Sequence, residues 1–240
     1  MKDPTAPTKD GYTFDGWYYD KELTTAYDFT EKVTKSFTLY TKWTEKVTEP
    51  IIPEWKNPFT DVKKSDWFYT NVEYAVKNGL FRGISETTFD PNGLLTRAMF
   101  VTVLYREEGE PAVNKSIPFA DVDPNAYYAS TVIWAQQNVI VNGVTENAFA
   151  PDDNIIREKI AAIMHRYAKY KGYDVSVGES TNIIFYTDAE SISEYAISAM
   201  QYAVGSGLMK GKTESTINPK DNATRAEIAA ILQRFIEANK

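Results

Sequence analysis

The chain carries the run Thr224-Arg225-Ala226-Glu227-Ile228-Ala229-Ala230-Ile231-Leu232 close to its C-terminal end, and related runs begin at Thr96 and Ile156. In all three runs apolar residues recur at i, i+3 and i+4, a spacing that predicts a helix with one apolar face. A single copy cannot bury that face, so the three faces are expected to pack against one another. The sequence therefore predicts a mainly α fold, with three helical repeats around a central three-helix bundle of pseudo-threefold symmetry.

Further landmarks recur in a fixed order and support three repeats, which we place at residues 59–118, 119–185 and 186–240. Each repeat opens on an aromatic residue with an aspartate two positions later. A second aromatic residue, a glycine and two arginines nine residues apart follow, and a shorter helix precedes the first arginine. The second repeat is longer, which predicts a loop at residues 169–184. In repeat order the landmarks are Asp61, Asp121 and Asp188; Trp67, Tyr127 and Tyr195; Gly83, Gly143 and Gly211; Arg97, Arg157 and Arg225; and Arg106, Arg166 and Arg234.

Residues 1–45 differ from the rest of the chain, since they are rich in Tyr, Phe, Trp and Thr. Short β-branched or alternating stretches at residues 12–14 and 37–43 predict a small β-rich segment. Residues 46–58 contain Pro50, Pro53 and Pro58 and predict an extended linker. No apolar signal-peptide core follows Met1, so we expect either a cytosolic protein or a fragment of a longer precursor.

The composition excludes several classes of protein. The 240 residues include no cysteine and one histidine, His165, which argues against disulfide scaffolds, thiolate zinc sites and histidine-based metal clusters. The formal net charge of −7 disfavours general attraction to nucleic acid or to an anionic membrane. No apolar run approaches the roughly 20 residues needed to cross a bilayer. We expect no nucleic-acid partner, no membrane insertion, no metal and no cofactor.

The repeated motifs resemble S-layer homology modules, most clearly in Thr224-Arg225-Ala226-Glu227 and in the Phe59-Thr60-Asp61-Val62 opening. The resemblance covers about residues 59–236, although the second copy reads Ile156-Arg157-Glu158-Lys159. Residues 7–44, which include Gly11-Tyr-Thr-Phe-Asp-Gly-Trp17, resemble the second half of a Listeria–Bacteroides type repeat. That resemblance implies a partial, β-grasp-like spacer whose first strand and helix would precede Met1.

The S-layer homology resemblance implies a non-catalytic module that anchors a secreted protein to the bacterial surface. Such triplets bind secondary cell-wall polysaccharide, commonly pyruvylated, in grooves between neighbouring copies, which implies an extracellular, wall-associated location. The motif arginine of each copy is expected to meet the acidic sugar. The candidate ligand-binding residues are Arg97, Arg157, Arg225, Asp61, Asp121, Asp188, Trp67, Trp134, Gly83, Gly143 and Gly211.

Each candidate has a structural alternative. The motif arginines can form internal ion pairs with Asp61, Asp121 or Asp188, or they can capture a carboxylate in bidentate geometry. The repeated aromatic residues can belong to the core or can stack on a sugar. The glycines can provide positive φ or close backbone approach. The second arginines lie near helix C-termini, where a cation is favourable, and are interpreted as structural.

Thr224 and Glu227 have the spacing of a capping box, in which each side chain accepts a hydrogen bond from the other residue's backbone N–H. The second copy lacks both residues, so Asp153 or Asn154 is expected to cap there. Because the motifs of the copies differ, one groove is expected to bind poorly.

Two other functions remain open on the sequence alone. The triplet can serve as a protein-interaction module that pairs with S-layer or cell-surface neighbours, or it can be an enzyme domain that acts on wall sugars. No phosphate loop, nucleophile elbow or histidine-based triad is present, and no two of the 33 acidic residues stand out as a catalytic pair.

Overall fold

The structure is a computed structural model that describes residues 4–46, 55–114 and 116–240. The chain divides into two compact units, residues 1–54 and 55–240. Most of the expected linker, residues 46–58, lies outside the described residues. The described part is mostly helical with one small sheet, as the sequence predicts.

The N-terminal unit is built on a two-stranded antiparallel sheet, with β1 at Tyr12–Tyr18 and β2 at Tyr40–Glu45. The register pairs Tyr12 with Glu45 and Tyr18 with Tyr40, and an irregularity falls between Phe14 and Gly16. The first strand is longer than the sequence predicts, and the second starts three residues later than expected. Beside the sheet, aromatic rings pack against one another, and the centroids of Tyr19 and Phe37 are 5.0 Å apart in a stacked pair.

The second unit contains seven α-helices among its described residues. Each repeat places a shorter first helix before a longer second helix. Each first helix is followed by a residue in the left-handed conformation, with φ +72° at Gly79, +57° at Val139 and +71° at Gly207. The helices are α1 at Tyr69–Lys77, α2 at Arg97–Glu107, α3 at Ala129–Gln137, α4 at Arg157–Tyr170, α5 at Val177–Ser180, α6 at Ile197–Gly205 and α7 at Arg225–Ala238.

The helices pair between repeats in a cyclic order. The second helix of one repeat packs on the first helix of the next: α2 on α3, α4 on α6 and α7 on α1. The apolar stripe predicted from the sequence is buried in every copy, because Phe100, Ile160 and Ile228 are fully inaccessible to solvent. One core therefore runs through all three repeats.

Backbone hydrogen bonds close the same cycle. Leu95 N–H donates to the carbonyl of Ala223, Ala223 N–H donates to Ile155, and Ile155 N–H donates to Leu95, at 3.5, 3.2 and 2.9 Å. All three residues are fully buried. Each repeat therefore satisfies backbone groups of another repeat directly before its second helix begins.

The segment between the second and third repeats differs from the predicted loop. Helix α4 continues to Tyr170, and α5 adds a further turn before the third repeat opens. Gly178 of α5 lies so close to Tyr202 that a β-carbon there would stand 3.0 Å from its backbone nitrogen. Close packing on α6 therefore orders residues that have loop-like composition.

Candidate functional site

Three pockets lie in corresponding positions around the second unit, and we name each after the motif arginine in its wall. The Arg97 pocket has a volume of about 580 Å³, and the Arg225 and Arg157 pockets have volumes of about 180 Å³ each. Every pocket combines residues of all three repeats. In the Arg97 pocket, Arg97 comes from the first repeat, Gly143 and Arg166 from the second, and Tyr195 from the third.

Each motif arginine reaches across to the following repeat in the cycle and binds its backbone. Arg97 donates from Nε to the Phe149 carbonyl at 2.9 Å and from Nη2 to the Asn142 carbonyl at 3.2 Å. Arg157 makes the matching bonds to Ile217 and Lys210 at 2.8 and 2.6 Å. Arg225 makes them to the carbonyls of Phe89 and Arg82, both at 2.7 Å.

These bonds fix the orientation of each guanidinium without neutralising its charge. They use Nε and Nη2, and Nη1 has no hydrogen-bond partner among the described residues. Burial lowers the pKa of Arg97, Arg157 and Arg225 below the ordinary value for arginine. Arginine nevertheless stays protonated in proteins. Each pocket therefore contains a fixed positive charge with unused donors.

The ion-pair alternative is not what the described residues show. Asp61 accepts hydrogen bonds from the backbone N–H groups of Phe89 and Asp90, at 2.9 and 2.7 Å. Asp121 and Asp188 make the same pair of bonds in their own repeats. Within the described ranges no ion pair joins these aspartates to the motif arginines. The carboxylates instead hold the turn that presents the carbonyls to the guanidinium groups.

The glycine that precedes each turn is required for close approach. A β-carbon at Gly83 would lie 2.3 Å from the carbonyl oxygen of Ser85 and 2.7 Å from that of Thr88, and the corresponding contacts at Gly143 and Gly211 are equally short. None of the three has positive φ. All three line pockets, so the absence of a side chain also keeps the pocket wall open.

The two tryptophan candidates have different environments. Trp67 is 63% exposed and lines the Arg157 pocket, and its equivalents Tyr127 and Tyr195 line the other two pockets. Trp134 is 2% exposed and packs between the rings of Tyr105 and Tyr170. The expectation that Trp134 is a ligand-binding residue is therefore wrong, since its indole is buried in the core.

Sequence reasoning missed the second arginines as pocket residues. Arg106, Arg166 and Arg234 each donate from Nη1 to the carbonyl of a buried residue beyond the first helix, at 3.1–3.2 Å, which agrees with their structural interpretation. Each also lines a pocket, with the residue seven positions earlier. Residues at i, i+3, i+4 and i+7 share one helix face, so this spacing was a usable signal. The pocket-facing stripes are Met99, Thr102, Val103 and Arg106; Lys159, Ala162, Ile163 and Arg166; and Glu227, Ala230, Ile231 and Arg234.

The helix starts behind the pockets are capped in two ways. The capping box of Thr224 and Glu227 is present as predicted, and Thr96 accepts from Met99 N–H without a reciprocal bond. In the second repeat, Ile156 has no side-chain cap, so the expectation of a cap from Asp153 or Asn154 is wrong. In all three repeats the first backbone N–H groups of the helix donate to carbonyls of the next repeat, as Arg157 does to Asp221, and the second repeat has these bonds without a side-chain cap.

Glu158 forms a buried polar cluster beside the Arg97 pocket. It is 2% exposed and accepts hydrogen bonds from Ser193 N–H, Ser193 Oγ, Tyr195 Oη and Lys220 Nζ, at 2.7–3.1 Å. Burial and the neighbouring Glu158 carboxylate raise the pKa of Tyr195 to about 12. The cluster therefore anchors the exposed ring that lines the pocket.

The described residues hold no group of three or more His, Asp or Glu side chains arranged to bind a metal ion. His165 stacks on Tyr202 with ring centroids 5.2 Å apart, and burial lowers the pKa of its imidazole. No helix in the described ranges combines the length and apolar character needed to span a membrane.

Comparison with known families gives two matches. The model of the S-layer homology domain matches residues 58–99, 118–158 and 185–229, and the model of the Listeria-Bacteroides repeat domain matches residues 1–42. The chain therefore belongs to the S-layer homology domain family, as its motifs predict. Membership places it outside the cell, in association with the cell wall.

Curated relatives carry similar sequence as part of much longer chains. An endoglucanase of Bacillus sp. (strain KSM-635) is 36% identical over 75% of this chain and 19% of its own length. A cellulosome-anchoring protein of Acetivibrio thermocellus is 24% identical over 75% of this chain and 41% of its own length. The surface-layer 125 kDa protein of Lysinibacillus sphaericus is 25% identical over 69% of this chain and 14% of its own length. The chain thus spans less than half of each relative.

Proposed function

We propose that the chain anchors a larger secreted protein to the bacterial surface by non-covalent binding of acidic, pyruvylated secondary cell-wall polysaccharide in the three pockets. The observation that carries this proposal is the repeated motif guanidinium, which is held by two backbone carbonyls and leaves Nη1 without a partner. A carboxylate on a ketal can accept from such a group in a fixed geometry.

The other pocket residues suit the same ligand. The second arginine adds positive charge, and the exposed ring of Trp67, Tyr127 or Tyr195 offers an apolar face to a sugar. The aspartates act through the turns that they hold and do not contact the sugar. With the chain at net charge −7, long-range attraction to an anionic polymer is weak, so local donors must provide recognition.

The overall affinity rises when several pockets of one chain bind the same polymer molecule. A hydrogen bond to a charged group contributes about 1.5–3 kcal/mol, so a single arginine gives weak binding. When two pockets bind the same polymer, the second binding event becomes intramolecular and the overall affinity rises without new contacts. Several weak sites can therefore anchor the protein without a covalent bond. We propose no catalytic role, since the enzymes among these relatives match over only 9–19% of their lengths.

We also infer that a pseudo-threefold axis relates the repeats and that α2, α4 and α7 form the bundle around it. The cyclic hydrogen bonds of Leu95, Ile155 and Ala223 support this arrangement, as does the contact of the Tyr167 and Phe235 rings between α4 and α7.

The direct test is calorimetric titration of the chain with purified wall polysaccharide, before and after acid removal of the pyruvate ketal. We expect binding that is lost with the ketal. Because R97A and R157A remove buried side chains and R225A removes a half-buried one, each variant is first compared with the parent by circular dichroism. K63A, at an exposed site outside the pockets, is the control. Equal binding of the two polymers, or folded arginine variants that bind like the parent, would refute the proposal.

A further inference from the structure

The three pockets differ most at one position of their helical stripe. The first residue of the stripe is Met99 in the Arg225 pocket, Lys159 in the Arg97 pocket and Glu227 in the Arg157 pocket. These side chains are neutral, positive and negative respectively. The second repeat thus departs from the family motif at a residue that faces a pocket.

The charge at a second pocket position also varies, and the change there offsets the change at the first position. The turn residue that precedes the pocket glycine is Arg82 in the Arg225 pocket, Asn142 in the Arg97 pocket and Lys210 in the Arg157 pocket. The pocket whose turn lacks a cation is the pocket whose helix has gained Lys159. The Arg157 pocket has four cationic groups against the carboxylate of Glu227, which leaves the same surplus of three positive charges as in the other two pockets.

Besides its two motif-helix arginines, each pocket has at least one further cationic side chain, and the surroundings of that side chain differ among the pockets. Arg82 is exposed, so solvent screens its charge. In the Arg157 pocket, Lys212 forms an ion pair with Glu227. Lys159 is half-buried and has no hydrogen-bond or ion-pair partner among the described residues. Its ammonium group is therefore both weakly screened and available to a ligand.

The dimensions of the pockets agree with this difference. The Arg97 pocket, at about 580 Å³, falls within the range of roughly 300–1,000 Å³ that is typical of ligand sites. The other two, at about 180 Å³, are below that range. No carboxylate lines the Arg97 pocket within the part of the chain that the structure describes.

We propose that the Arg97 pocket is the principal site for the acidic sugar and that Lys159 is its specificity-determining residue. This inference rests on the proposed function of the pockets. The altered motif of the second repeat is then a gain, because Lys159 supplies the charge that Asn142 does not. The expectation that motif variation leaves a poorly binding groove applies instead to the Arg157 pocket, where Glu227 opposes an anion.

The test is calorimetric titration of the whole chain with a synthetic methyl hexopyranoside that carries a 4,6-linked pyruvate ketal. We expect K159M to weaken the tightest site about 10- to 100-fold, which corresponds to loss of one charge-assisted hydrogen bond. K159E is expected to weaken it further. M99K, the matched change in the Arg225 pocket, is expected to leave the tightest site unaltered.

A second-site variant separates the amount of charge from its position. Adding N142R to K159M reproduces the pair found in the Arg225 pocket, where the arginine is exposed, and is expected to restore only a small part of the lost affinity because solvent screens the new charge. If the parent binds the probe and K159M and K159E bind it equally well, this inference is wrong while the proposed function stands. If the parent does not bind the probe, the proposed function and this inference both fail.

Discussion

Replacement of Glu158 tests how the second unit holds a buried charge next to the Arg97 pocket. The carboxylate accepts from Ser193 twice, from Tyr195 and from Lys220. It joins α4 of the second repeat to the opening of the third repeat, which is one residue longer between Asp188 and Tyr195 than the equivalent segments of the other repeats. We expect E158A to destabilise the unit and to release the Tyr195 ring.

The magnitude follows from the burial of the two partners. Breaking a buried ion pair costs about 3–5 kcal/mol when it strands a charge. The side chain of Lys220 is 49% exposed, so its ammonium regains water and the cost falls toward the lower end. We expect E158A to lower the free energy of unfolding by about 3 kcal/mol. E158Q keeps one acceptor oxygen and should lose about 2 kcal/mol.

The effect should depend on pH in a defined direction. Burial by itself would raise the pKa of Glu158, but the hydrogen bonds from Lys220 and Ser193 outweigh it, and the pKa is lowered. The folded protein therefore binds this proton less readily than the unfolded chain does. The stabilisation is complete above the unfolded pKa of about 4.3 and is lost as the pH falls through the lower folded value.

Guanidinium chloride unfolding, followed by far-UV circular dichroism at neutral pH and at several pH values below about 5, measures both effects. E190Q, at an exposed glutamate, is the matched control and should behave like the parent. The reasoning is refuted if E158Q is as stable as the parent at neutral pH, or if the two lose stability in parallel as the pH falls.

Three further predictions concern the glycines, the caps and the tryptophans. G143A should destabilise the fold by about 1–3 kcal/mol in urea unfolding, because the new methyl group would lie 2.1 Å from the Thr145 carbonyl oxygen. T224A should cost about 1 kcal/mol through loss of the capping box, measured as a lower melting temperature. W134A should cost about 3–5 kcal/mol because it empties the core, whereas W67A should leave the melting temperature unchanged and weaken polysaccharide binding. Equal melting temperatures for the two tryptophan variants would contradict the assignment.

Local sequence patterns determined much of the secondary structure and the order of the repeats. The i, i+3, i+4 stripes predicted α2, α4 and α7, because the buried face of an amphipathic helix requires apolar residues at that spacing in the sequence. The capping box at Thr224 was readable for the same reason, since both partners lie within one turn. The motif arginines could be placed at helix starts from the sequence alone.

The tertiary structure alone decided what those arginines bind. Their partners are backbone carbonyls such as that of Phe149, and every residue has a carbonyl, so no residue type marks the partner. Trp67 and Trp134 likewise have opposite burial, which depends on how the repeats pack around each indole. The periodicity of a helix predicts which of its faces is buried. It does not predict which other repeat packs against that face.

The pockets illustrate the same limit on a larger scale. Arg97, Arg166 and Tyr195 lie in three different repeats, and only the cyclic pairing of the helices brings them into one wall. The charges of Glu158 and Lys159 were visible in the sequence as departures from a motif. Their separate roles, one in the core and one facing the pocket, follow from a rotation of about 100° between neighbouring residues of a helix, combined with the position of the third repeat beside it.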